Sequence, residues 1–206
     1  MTGLNLPFNL FDLLLVLILA AGLLHGRKHG LSVELLSLLK WLTVLAVCAV
    51  VYGPLGELLA QSGQFDLLSA YLLTYLLAGL GVFLLFALIQ KRVGPKLIGS
   101  DVFGQGEYYL GMGSGMVRFG CMLLVALALL NARGFTPAEL TAMEKFQQDN
   151  YGSNLFPGLH TLQAAVFENS LAGSFIKQDL GFLLITSTEP NQREPSPAPA
   201  AVTAKR

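Results

Sequence analysis

Leu67 to Ile89 runs without a single charged side chain. A bilayer core about 30 Å thick asks for about 20 consecutive apolar residues at a rise of 1.5 Å each. A helix of that length at a water surface carries a charged face, because one side must be solvated. This stretch has none, so it reads as a transmembrane helix, and whatever else folds must pack beside it in lipid.

Three further stretches qualify as spans. About Phe8 to Leu24 holds Asp12 as its one ionisable residue, about Leu31 to Tyr52 holds Glu34 and Lys40 in its first half, and about Leu110 to Leu130 encloses Arg118. Phe119 to Leu130 alone is too short to cross. The fourth span therefore takes in Leu110 to Val117, which sets Arg118 roughly 12 Å along the axis from the entry end. Lys40 meets the same difficulty, and its long stem can snorkel towards the interface. The chain of 206 residues is 53% hydrophobic and 13% charged, against about 25% charged in soluble domains, and its mean hydropathy is +0.60. A formal net charge of zero gives no field that would gather nucleic acid. The N-terminus has no basic n-region and no small-residue cleavage site, so the first apolar run is expected to be a retained span.

Between the first two spans, Gly22, Gly26 and Gly30 fall four residues apart and bracket His25, Arg27, Lys28 and His29. The spacing is that of a small-residue helix seam. It is equally that of turn residues in a hairpin corner, and both readings stay open. Gly111 and Gly115 repeat the spacing at the start of the fourth span, with Arg118 three residues further on the same face. Basic residues concentrate in the first connection (Arg27, Lys28) and the third (Lys91, Arg92, Lys96), whereas the second, Gly53 to Asp66, has only Glu57 and Asp66. The positive-inside rule then puts connections one and three in the cytoplasm and both termini outside.

Beyond Leu130 the pattern changes. Thr136-Pro137-Ala138-Glu139 is a helix start, with a Thr cap, Pro at the first helical position and Glu three after the cap, and a helix to about Asp149 is expected. Asn150 to Asn154 is turn-rich. Leu159, Leu162, Ala165, Val166 and Asn169 have helical spacing, and Phe182 to Ile185 is a short apolar end. The stretch Gly94 to Gly106, with Gly94, Pro95, Gly99, Gly104 and Gly106, is expected to be irregular. The fold class is thus an all-α membrane protein. Four transmembrane helices occupy residues 1–133, an amphipathic helical extracytoplasmic segment 134–187, and a disordered Pro/Ala-rich tail 188–206.

Ionisable residues inside a span each cost about 2.5–3.5 kcal/mol on insertion scales, which makes Asp12, Glu34, Lys40 and Arg118 the functional candidates. Glu34 and Arg118 lie towards the same membrane face, so a buried pair joining spans two and four is geometrically possible. Asp12, near the outer end of span one, reads as an interfacial or capping residue. His25 and His29 have the i, i+4 spacing of helical metal ligands, but no HExxH motif or carboxylate trio completes a site, and Arg27 and Lys28 would oppose a cation. A membrane-surface role against anionic lipid headgroups suits that corner better. Gly111 to Gly115 lacks the Lys-Ser/Thr of a phosphate loop. Cys48 and Cys121 sit in separate apolar runs and read as buried thiols. Neither a nucleophile–base pair nor paired aspartates are present, so no enzyme, cofactor or metal is expected.

These residues also carry a resemblance. Asp12, a span, and then Gly22-xxx-Gly26-xxx-Gly30-xxx-Glu34-Leu-Leu-Ser-Leu-Leu-Lys-Trp41 resemble the opening of the colicin V production protein family, which has an early Asp, then G-x-x-R-G-x-x-x-E and an apolar helix. Gly111-xxx-Gly115-Met-Val-Arg118 is similar to that family's G-x-x-x-G-x-x-R-G. The resemblance covers about Phe8 to Leu130. His29 stands in place of the usual Arg, Glu107-Tyr108 in place of Asp-Arg, and Phe119 in place of Gly. What the resemblance implies is a multi-pass protein of the bacterial inner membrane, linked to production or export of a peptide toxin and to envelope stress tolerance. A scaffold that forms homo-oligomers or recruits other envelope proteins is the expected role. The alternative is a small channel or transporter whose polar path uses Glu34, Lys40 and Arg118.

Overall fold

A computed structural model describes residues 9–98, 106–136, 139–143, 145 and 158–188. Its named helices are α1 (Leu10–Gln61), α2 (Leu67–Ile98), α3 (Glu107–Asn131), α4 (Leu159–Phe167) and α5 (Leu171–Asp179), followed by a 3₁₀ turn at Gly181–Leu183. No strand occurs among the described residues; Arg133 and Thr188 form an isolated parallel bridge.

Helix α1 is two spans in one. Gly30 has φ 72° and ψ 168°, a region that is essentially closed to residues with a Cβ. On a straight helix His25 and Glu34 would stand about 13 Å apart along the axis, yet their side chains meet at 3.1 Å. The chain therefore doubles back at Gly30, and α1 is a hairpin. Its limbs Leu10–Ser32 and Glu34–Gln61, together with Leu67–Arg92 and Glu107–Asn131, are each long and apolar enough to cross a membrane. The protein is an all-α, multi-pass membrane protein.

Three boundaries differ from expectation. The basic corner His25–His29 is helical up to Gly30, so the reversal sits in one residue rather than in a loop. The second limb continues through Gly53 and Pro54 to Gln61. Helix α2 continues through Gly94 and Pro95 to Ile98. Glycine and proline weaken a helix by about 1 and about 3 kcal/mol. In helices of 52 and 32 residues the remaining turns offset these penalties, so the helices run on. Residues 99–105, 146–157 and 189–206 lie outside the described residues, and with them the turn-rich Asn150–Asn154 segment, most of the Gly94–Gly106 loop and the tail expected to be disordered.

Helices α2 and α3 both pack on α1. The core gathers Phe11, Val44 and Cys48 of α1, Tyr75, Val82 and Phe86 of α2, and Leu127 and Ala128 of α3. The Cys48 thiol donates to the Tyr75 carbonyl at 3.4 Å, and Trp41 meets Phe83 edge-on at 5.2 Å. Outward-facing Leu76, Leu77, Leu80, Leu84, Leu85 and Leu88 are more than half exposed, as suits side chains whose solvent is acyl chain rather than water.

Thr136 opens the C-terminal part as its spacing predicts. Its Oγ1 accepts the Glu139 N–H at 3.4 Å, while Glu139 Oε2 accepts the Thr136 N–H at 3.3 Å, and residues 139–143 are helical. Helices α4 and α5 pack on each other with Gly173 directly against the Val166 backbone. They cap the end of the bundle opposite Gly30, where Asn131 Nδ2 donates to the Ile185 carbonyl at 2.9 Å.

Candidate functional site

The first limb of α1 runs antiparallel to α3, and the contact is made by glycines. A Cβ built on Gly22 would lie 2.7 Å from the Gly115 carbonyl oxygen, one on Gly111 2.6 Å from the Gly26 oxygen, and those on Gly26 and Gly115 would collide with the Gly111 and Gly22 oxygens. With no side chains between them the two backbones touch, which is how helices gain close packing in lipid, where burial of apolar surface offers no driving force. Of the three spaced glycines in α1, Gly22 and Gly26 form this seam and Gly30 makes the turn.

The seam ends on a cluster of polar side chains. Gly30 delivers Glu34 back towards α3, where Arg118 waits one turn past Gly115. Arg118 Nη1 donates to both Glu34 oxygens, at 3.0 and 2.7 Å. Glu34 is 2% exposed, so water does not compensate its charge; Arg118 and His25 do. His25 Nε2 approaches Glu34 Oε1 at 3.1 Å, and the His25 and His29 rings lie 4.3 Å apart between centroids. His29 Nδ1 donates to the His25 carbonyl at 3.0 Å. Across the turn, Glu107 Oε1 accepts the Ser32 N–H at 3.3 Å and packs on Gly30.

Among the described residues, neither of the other intramembrane charges bonds to this cluster. Lys40, about 9 Å further along the helix, stands over the Phe83 ring at 4.9 Å. Asp12 is at the far end of the bundle and is buried. It completes a capping box with Asn9, accepting the Asn9 N–H at 2.9 Å. Its other oxygen accepts the Ser170 hydroxyl at 2.7 Å and the Ala172 N–H at 3.0 Å. Asn9 Nδ2 adds a bond to the Ala165 carbonyl at 2.7 Å. On the second limb, Tyr52 Oη donates to the Leu184 carbonyl at 3.4 Å and accepts the Thr186 N–H at 3.2 Å. The cap is thus fastened to both limbs.

The sequence marks none of Glu107, Tyr52 and Ser170 as candidates, and His25 only as a disfavoured metal ligand or as part of a corner set against lipid headgroups. His25 and Glu107 had one available signal, namely that both flank the glycine motifs. Tyr52 and Ser170 had none, because their partners lie more than a hundred residues away. His25, His29 and Glu34 bring ligand atoms within 4.8 Å of one another, a geometry that a divalent ion can use. The Glu34 carboxylate is however already bonded through both oxygens to Arg118, and a cation would face that guanidinium directly. The arrangement is that of a locked ion-pair network.

A family model described as colicin V production protein matches residues 11–150, which reaches beyond the four spans into the segment after Leu130 that the motifs alone do not cover. No curated protein and no solved structure matches the chain significantly.

Proposed function

This chain belongs to the colicin V production protein family, and we propose that it serves toxin production or export from the bacterial inner membrane as a non-enzymatic scaffold. The observation that carries this reading is the closure of Glu34. Its carboxylate is held by Arg118 and His25 inside the hairpin, so the costly intramembrane charges tie helices together instead of lining a passage. Lys40, the third residue of a polar path, is directed to an aromatic ring.

In this reading Arg27, Lys28, Lys91 and Arg92, all at the Gly30 end of the bundle, face the cytoplasm by the positive-inside rule. The termini and the α4–α5 cap face outside. The cap and the leucine face of α2 are then the surfaces offered to further copies or to envelope proteins.

Ion and solute flux across liposomes holding the purified protein tests the proposal. Flux no greater than in empty liposomes is the expected result. Charge-selective flux that disappears in Arg118→Ala would overturn the scaffold and establish a channel. Crosslinking from Leu162, exposed on α4, is expected to capture an envelope protein or a second copy.

A further inference from the structure

At the cytoplasmic-type corner, Ala21, Leu24, His25, Arg27, Lys28 and Tyr108 line an open groove of about 560 Å³ between the first limb of α1 and the start of α3. Its chemistry is divided. Leu24 and Tyr108 are about three-fifths exposed and, with Ala21, give an apolar floor at the membrane edge. Arg27 and Lys28 are exposed. Among the described residues neither pairs with a carboxylate, whereas Glu34, the nearest buried acid in the corner, is taken by Arg118 and His25. Two uncompensated cations therefore stand over an apolar trough, beside a tyrosine at interfacial depth.

We propose that this groove is a binding site for one anionic glycerophospholipid. The phosphate, which no headgroup amine neutralises in such a lipid, meets Arg27 and Lys28, the Tyr108 hydroxyl reaches the glycerol–phosphate region, and an acyl chain lies along Ala21 and Leu24. Basic clusters at the membrane edge attract anionic lipid at about fivefold per Lys or Arg, and an aromatic ring with a polar tip suits the headgroup level. Because the two basic residues sit on a helix rather than on a loop, the backbone of the site is preformed, and the ordering cost is confined to their side chains. A soluble phosphate would satisfy the cations but leave the trough open to lipid.

The full-length protein in phosphatidylcholine nanodiscs doped with phosphatidylglycerol tests the site, with retained lipid counted by native mass spectrometry. One retained phosphatidylglycerol per chain is expected, in preference to phosphatidylcholine. Retention should fall about fivefold in Arg27→Gln or Lys28→Gln and about thirtyfold in the double variant. Leu24→Trp, which fills the trough and leaves the charges, should also release the lipid, while Lys91→Gln with Arg92→Gln on α2 should not. Equal retention of both lipids would overturn the proposal. Equal losses from the α2 variants would mean diffuse surface attraction and would overturn it too. Inorganic phosphate that displaces the lipid at matched ionic strength would reassign the site to a soluble anion.

Discussion

Glu34 and Arg118 stand 84 residues apart in the chain, and one guanidinium nitrogen holds both carboxylate oxygens at 3.0 and 2.7 Å. The pair fixes the hairpin of α1 to α3 at the point where the glycine seam leaves off. Removing one member of a buried pair strands the other charge, at a cost of about 3–5 kcal/mol. Arg118→Ala and Glu34→Ala are each expected to lower the thermal midpoint in detergent substantially. The double variant should lose much less than the sum, with a coupling of about 0.5–3 kcal/mol. Strict additivity in that cycle would show that the pair holds nothing together.

The glycine seam separates positions that look alike in sequence. Gly26, Gly111 and Gly115 face backbone across the seam, whereas Gly113 and Gly120, on the same helix as Gly111, have nothing within 4 Å of an added Cβ. Alanine at Gly26 or Gly115 must push two helices apart and is expected to destabilise by about 1–3 kcal/mol. Alanine at Gly113 or Gly120 should be neutral or stabilising by up to about 1 kcal/mol, through helix propensity alone. Denaturation of the variants in one detergent checks this, and equal effects at all positions would exclude a seam.

Asp12 fastens the cap. Without its carboxylate, Ser170 loses an acceptor and the Ala172 N–H is left unpaired. Asp12→Ala is expected to raise hydrogen exchange and proteolytic nicking over residues 158–188 while leaving α2 and α3 protected. Asp12→Asn, which keeps one acceptor oxygen, should be intermediate. Unchanged protection of the cap would show that Tyr52 and Asn9 suffice to hold it.

The four spans could be read from the sequence because a charge-free run of that length has no face to offer water, and a bilayer is the solvent that suits it. The Glu34–Arg118 contact could be raised because both residues fall towards the same membrane face. Neither the spacing nor the composition distinguished Gly30 as the turn from Gly22 and Gly26 as the seam; that distinction rests on a positive φ at one residue and a backbone contact at the others. Pro54 and Pro95 misled about where helices end, since the rest of a long helix can offset the penalty of about 3 kcal/mol from one proline. The fastening of Asp12 to Ser170 and of Tyr52 to Thr186 depends on how the C-terminal helices return over the bundle. Local pattern does not encode that return.

The hairpin and its cap also have a dimension. From Asp12, pinned beneath the cap, to Arg27 at the basic corner is about 22 Å of helix. From Glu34 at the turn to Tyr52 at the cap is about 27 Å. These fastened stretches lie inside limbs of 23 and 28 residues, about 34 and about 42 Å of helix, which exceed the roughly 30 Å hydrocarbon core of an average bilayer. With its two ends clamped, the hairpin cannot shed that excess by sliding one limb past the other, so the bundle tilts as a unit. The molecule acts as a rivet of set length, crossing the membrane at one slant.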